Sequence, residues 1–457
     1  MSVLNGDILR RRWIINGLLV VAVWFIIRNS LQYGTNVDTN VPTSELPSDP
    51  AAKPTPVPGF DSTVQRKPEN PKQEEPKKEE HGQKEDTHAT FSWPGVSKPP
   101  ALNLDRPNDK PKKKNVYPFN ITGAGAAFET VVQGKKDKPK ACFVSLVRNS
   151  EIWELTKSIA SVQDKFNGKF DYPWVFLNDE PFTEEFKKHI LAIVPNSKFG
   201  LIPKEHWSYP DYISRERAAK ARVDMKDIIY GDSESYRHMC RFQSGFFFQH
   251  PLLAEYDWYW RVEPSTELHC TIDYDVFQFM QDNDITLGFT ITIHEYRATI
   301  ETLWETTKKF LEENPGYVHK DNLLGFISDD GGNEYNLCHF WSNFEVANLN
   351  FYRSKAYLDY FNYLDKSGGF FYERWGDAPI HSIAASIMLS RDRIHYFNDI
   401  GYHHPPYSNC PFVDDIRSKG KCTCDPEIDF TFRGYSCGKE YFNSQGFKRP
   451  ENWEKYT

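Results

Sequence analysis

The chain has no excess of positive charge. Across its 457 residues, 63 acidic side chains outnumber 55 lysines and arginines, leaving a formal net charge of -8. A nucleic-acid binder would carry a basic face, so no nucleic-acid partner is expected. No two of the eight cysteines are spaced as Cys-x-x-Cys, which leaves a structural zinc site without support. The apolar run from Trp13 to Ile27 falls short of the roughly 20 residues that span a typical bilayer. From about Gly34 to Lys114 aliphatic residues are scarce, so this segment cannot bury enough surface to offset the entropy of ordering. No internal repeat is present, which excludes solenoids and propellers.

What is present at the N-terminus points to an anchor. Arg10, Arg11 and Arg12 precede the apolar run, and Arg28 closes it. Flanking arginines snorkel, and thinner early-secretory membranes need fewer residues. No small-x-small cleavage site follows in RNSLQYGTN, so the run is read as an uncleaved anchor rather than a signal peptide. The positive flank keeps the short end cytosolic. The expected organisation is a cytosolic tail (1–12), a signal-anchor transmembrane helix (13–28), a disordered stem (29–116) and a lumenal folded domain (117–457). The sequon Asn120-Ile121-Thr122 marks a glycan site where stem meets domain.

An oxidising compartment allows disulfides among Cys142, Cys240, Cys270, Cys338, Cys410, Cys422, Cys424 and Cys437. The crowding of Cys410, Cys422, Cys424 and Cys437 predicts two bridges within that cluster, with three pairings open. Beyond Tyr117 the pattern reads as α/β. ACFVSLVRN, DYPWVFLND, DWYWRVEP, TLGFTITIHEY and IHYFND predict strands. IWELTKSIASVQDKF, TEEFKKHILAIV, SRERAAKARVDMKDIIY and GDAPIHSIAASIML predict the helices between them. Such alternation implies a mostly parallel sheet flanked by helices, with ligands at the carboxyl ends of its strands. Arg148, Asp179 and Glu263 fall at those ends.

Several residues suit charged chemistry. Glu263 closes a buried aromatic strand and is followed by Pro264, which restricts the backbone on both sides of their peptide bond; it is a metal candidate, with an ion pair to Arg261 as the plainer role. Asp273-Tyr274-Asp275 resembles a D-x-D metal motif, but it precedes a helical run and is better read as an N-cap with a first-turn charge. His403 and His404 stand before two prolines in GYHHPP, a rigid setting for a metal ligand or for a hydrogen-bonded loop. Glu345 lies among Trp341, Phe344 and other apolar residues, where an unpaired carboxylate has a perturbed pKa. Asp377 in WGDAP suits a helix N-cap.

The ordered segments SYRHMCRFQSGFFFQH, WYWRVEP, YNLCHFWSNFEVANLNFYRS, GGFFYERWGDAPIHSIA and IGYHHPPYSNCP resemble the fungal Golgi α-1,2-mannosyltransferases of the KTR family. The resemblance runs from about Lys138 to the C-terminus. It implies a GT-A-like nucleotide-diphospho-sugar transferase fold, GDP-mannose as donor, Mn²⁺ as cofactor and mannose-containing glycans on glycoproteins as acceptors, with retention at the anomeric carbon. It also implies a single-pass type II protein of the Golgi membrane. Carried over, Glu345 is the expected nucleophile, and Asp377 and Tyr236 belong to the catalytic set. Glu263 and His404 flank the metal, and Arg148, Tyr236, Arg241 and Arg261 bind the cofactor. Trp341, Phe370, Phe371, Tyr372 and Trp375 offer stacking surfaces, though core packing is their default. Where relatives commonly read C-D-I-x-Y-D, this chain reads Cys270-Thr271-Ile272-Asp273-Tyr274-Asp275, a departure that bears on acceptor preference. The rival readings are a mannosylphosphate transferase of the same family and a catalytically inactive lumenal mannan-binding protein.

Overall fold

A computed structural model describes residues 138–450 and 453–456. The expected anchor, stem and Asn120 sequon lie outside these residues. No helix among the described residues is long and apolar enough to cross a membrane.

Among the described residues twelve strands follow in chain order. They are β1 (Ala141–Leu146), β2 (Trp174–Asn178), β3 (Ser197–Leu201), β4 (Trp258–Arg261), β5 (Glu267–Leu268) and β6 (Leu287–Phe289), then β7 (Thr292–His294), β8 (Cys338–Phe340), β9 (Glu345–Asn348), β10 (Ile394–Tyr396), β11 (Tyr402–His404) and β12 (Tyr407–Asn409). Seven build the central sheet in the order β10-β6-β9-β4-β1-β2-β3. Four of its neighbouring pairs are parallel, and only β9 runs antiparallel, between β4 and β6. The fold is therefore the expected α/β architecture with a mixed, mostly parallel sheet.

Burial on both faces explains why the central strands read as unbroken apolar runs. In β1, Cys142 and Val144 face one core while Ala141 and Phe143 face the other. Tyr259 on β4 joins the first core, and Trp258 and Trp260 join the second. This is the period of two that a pleated strand imposes. The reversed β9 has a functional consequence. Its first residue, Glu345, lies beside Arg261, the last of β4. An antiparallel strand starts where its parallel neighbours end, so Glu345 reaches the carboxyl edge from the opposite direction.

TLGFTITIHEY forms two strands rather than the one expected. Leu287 and Gly288 pair with β9, after which the chain leaves the sheet and Thr292–His294 pairs with β8. The disulfides also differ from expectation. Only Cys410–Cys424 lies within the C-terminal cluster; Cys422 bonds Cys270 and Cys437 bonds Cys338. The backbone explains the choice. Thr271 N–H donates to the Gly420 carbonyl and Thr423 N–H to that of His269, so the Cys422 segment lies alongside Cys270. Cys142 and Cys240 remain as buried thiols.

Candidate active site

Glu263 leaves the sheet two residues after Arg261. Val262 N–H still donates to the Val144 carbonyl and Ser145 Oγ donates to that of Val262, so the strand is pinned up to the carboxylate. Pro264 and Ser265, the latter at φ 64°, then turn the chain, and Thr266 Oγ1 donates back to the Glu263 carbonyl. Proline followed by a left-handed residue is the signature of a type II turn. The carboxylate thus stands on rigid backbone. Arg261 grips its Oε1 through both Nε (2.8 Å) and Nη2. Burial disfavours the charged form, but Arg261 and His404 outweigh it and hold the Glu263 carboxyl at about 2.

His404 arrives by a separate route. Immediately after the Glu263 turn, β5 pairs antiparallel with β11, setting His403 opposite Glu267. The next residue, His404, is carried back toward Glu263, and its Nε2 lies 3.6 Å from Glu263 Oε2. Right-angle ligands to a hard divalent cation, bound at about 2.0–2.6 Å, lie roughly 2.8–3.7 Å apart. The pair fits one such ion, and the mixed carboxylate and imidazole donors fit Mn²⁺. The D-x-D-like segment does not join them. Asp275 caps the helix Val276–Asp282 and accepts from the Tyr172 hydroxyl, while Asp273 is exposed. His294, Cys338 and Cys437 cluster elsewhere, but the two sulfurs are bonded to each other and offer no thiolate.

Asp377 occupies the first turn of the helix Asp377–Met388, and Gly376, not Asp377, takes the N-cap position. Its buried carboxylate instead accepts from Arg261 Nη1 at 2.6 Å and Ser342 Oγ at 2.8 Å. Arg261 therefore joins Glu263 to Asp377, and the guanidinium expected to bind cofactor is committed to two carboxylates. Tyr236 lies in the first turn of the helix Glu234–Gly245, with the Arg374 guanidinium 5.2 Å from its ring. Arg148, just beyond β1, reaches the same turn through a 2.7 Å bond from Nη2 to Ser235 Oγ.

Arg241 is not brought to this cluster. It is buried in a two-bond ion pair with Asp365, at 2.7 and 2.8 Å, which leaves a structural role in place of the expected cofactor contact. Phe370, Phe371 and Trp375 are wholly buried, as core packing requires.

Glu345 sits deeper, only 2% exposed. One of its oxygens accepts from the hydroxyls of Tyr259 and Tyr352, the latter at 2.6 Å. His381 Nδ1 lies 3.1 Å from the other. Burial opposes ionisation here too, but the His381 charge and these hydrogen bonds prevail and lower the carboxyl's pKa. The partners are absent from the sequence-derived set. One signal was present: His381 follows Asp377 by four residues, a spacing that places both on one helix face.

The glycolipid 2-alpha-mannosyltransferase family pattern matches residues 104–446. The chain is 62% identical over 325 residues to glycolipid 2-alpha-mannosyltransferase 2 of Candida albicans, covering 70% of each protein. It is 56% identical over 340 residues to the alpha-1,2 mannosyltransferase KTR1 of Saccharomyces cerevisiae, covering 73% of this chain and 86% of that one. The fold matches the X-ray structure of S. cerevisiae mannosyltransferase Ktr4p in complex with GDP at TM-score 0.65 and 40% identity, over 69% of this chain and 84% of that one. It matches core-mannan synthase A of Aspergillus fumigatus in its Mn/GDP form at TM-score 0.64 and 39% identity, over 76% of this chain and 94% of that one.

Proposed function

The chain belongs to the glycolipid 2-alpha-mannosyltransferase family, and from that premise we propose that it transfers mannose from GDP-mannose to mannoside acceptors in an α-1,2 linkage with Mn²⁺. The observation that carries this reading is the Glu263–His404 pair, held at the carboxyl edge of the sheet by an arginine that also binds Asp377. Two homologous structures bear GDP, one of them with Mn.

In this reading Glu263 and His404 hold the cation, and a divalent ion there neutralises charge that grows on the departing diphosphate. Arg261 keeps the Glu263 carboxylate ionised and oriented. Arg148, at the end of β1, is poised for the diphosphate side, as strand ends in such sheets bind phosphates. Tyr236 is half-buried in the first turn of its helix, with the Arg374 guanidinium against its ring. Glu345 acts as a fixed negative charge beneath the reacting sugar, because its hydrogen-bonded oxygens are restrained. An oxocarbenium-like sugar is stabilised by such a charge, and retention of configuration is expected. The type II anchor, the Golgi location and glycoprotein acceptors complete the proposal, supported by Arg10–Arg12 ahead of the apolar run.

The test is to incubate the enzyme with GDP-mannose, Mn²⁺ and methyl α-mannoside and to assign the product by NMR. An α-1,2-linked dimannoside is expected. A mild-acid-labile phosphodiester, or no transfer, would overturn the reading.

A further inference from the structure

A second group of aromatic residues lies at the surface. Tyr296 and Tyr435 are 51% and 44% exposed in a domain that buries most of its aromatics. Their ring centroids are 6.0 Å apart and tilted by 40°, so the rings do not stack face to face on one another. We propose that Tyr296 and Tyr435 form a platform for the second sugar of an oligomannoside acceptor, next to the residue that receives mannose. The inference rests on the mannosyltransferase reading and extends it to acceptor length.

A chain of polar contacts connects this platform to the site. Glu295 Oε1 accepts from Tyr296 N–H at 2.8 Å and lies 3.4 Å from Arg374 Nη2. Arg374 in turn packs over Tyr236, and its Nε is buried with no hydrogen-bond partner. The platform is thus joined through Glu295 and Arg374 to the Tyr236 side of the site.

The local chemistry suits a sugar. Its C–H face packs on an aromatic ring, while phenol hydroxyls and an adjacent carboxylate meet its hydroxyl groups. The backbone beneath the rings is also braced. His294 N–H donates to the Tyr435 carbonyl at 3.0 Å, and Cys338, paired with His294 across β7 and β8, is disulfide-bonded to Cys437. Each tyrosine therefore lies two residues from a braced position, and little ordering is needed on binding.

The test compares Tyr296→Ala, Tyr435→Ala and the parent on methyl α-mannoside and on α-1,2-mannotriose. Loss of one stacking ring is expected to reduce the ratio of kcat/KM for mannotriose to that for methyl α-mannoside about tenfold, through KM rather than kcat. An unchanged ratio would overturn the proposal. Saturation-transfer NMR of mannotriose supplies a readout independent of turnover, with contacts beyond the terminal residue expected in the parent and lost in the variants. If the parent binds mannotriose in this way but transfers no mannose, the platform stands and the functional reading falls. If it transfers mannose but shows contacts to the terminal residue alone, the reverse holds.

Discussion

Arg261 has two carboxylate partners, and the site depends on both. It holds Glu263 through two nitrogens and Asp377 through a third. Lysine keeps the charge but has no planar fork with which to span both acids. Arg261→Lys is therefore expected to raise the half-saturating Mn²⁺ concentration by about tenfold or more, the usual scale for losing a ligand's supporting contact. Activity measured across an Mn²⁺ titration checks this, and an unshifted curve would remove Arg261 from the support of the metal side. Glu345 makes a different demand. Glu345→Gln preserves size but removes the buried charge, and kcat is expected to fall on the order of 10²–10³. GDP affinity should be little changed, since the residue lies below the sugar and away from the nucleotide in this account. Turnover at the parental rate would end the electrostatic role.

Two elements set the stability of the framework. The strand Ile394–Tyr396 carries His395, only 8% exposed and packed 5.1 Å from the Phe279 ring and 4.7 Å from that of Phe397. Burial lowers its pKa to about 3. The unfolded imidazole takes a proton below about pH 6.5 while the folded one does not, so stability is full above that value and declines as pH falls toward 3. Between pH 7 and pH 5 the loss from this group is about 2 kcal/mol. His395→Phe should flatten that part of the melting-temperature profile, whereas an identical slope would show that His395 is protonated in the folded state. The second element is the three-stranded sheet β12-β11-β5 that carries His404. Cys270–Cys422 begins two residues after β5, and Cys410–Cys424 begins directly after β12. Cys270→Ser with Cys422→Ser is expected to cost about 2–5 kcal/mol in stability. It should also weaken Mn²⁺ response, because the hairpin loses its brace. Denaturant unfolding beside the metal titration separates the two effects.

At the scale of the molecule, much of the scaffold was legible from the sequence. Four central strands and four helices announced themselves through continuous apolar runs or helical periodicity, and Glu263 showed itself as a carboxylate closing a buried strand. Its nearness to His404 was not readable from pattern, because it depends on a pairing between the two-residue β5 and a strand more than a hundred residues later. The strand β9 was missed for a similar reason. Four residues reading Glu-Val-Ala-Asn carry no periodicity, yet its reversed direction brings Glu345 to the edge where the other strands end. Arg241 shows the opposite failure: a basic residue in a matching motif was assigned to the cofactor, although its local partner, Asp365, is distant in sequence.

The central claim is that Glu263 and His404 together hold the cation that binds the nucleotide diphosphate. Electron paramagnetic resonance of Mn²⁺ in the presence of GDP tests it most directly, comparing the parent with the Glu263→Gln, His404→Ala double variant at matched folding. The account predicts one tightly held ion in the parent and affinity weakened about a hundredfold in the variant. Equal amounts of bound Mn²⁺ in both proteins across the titration would contradict it.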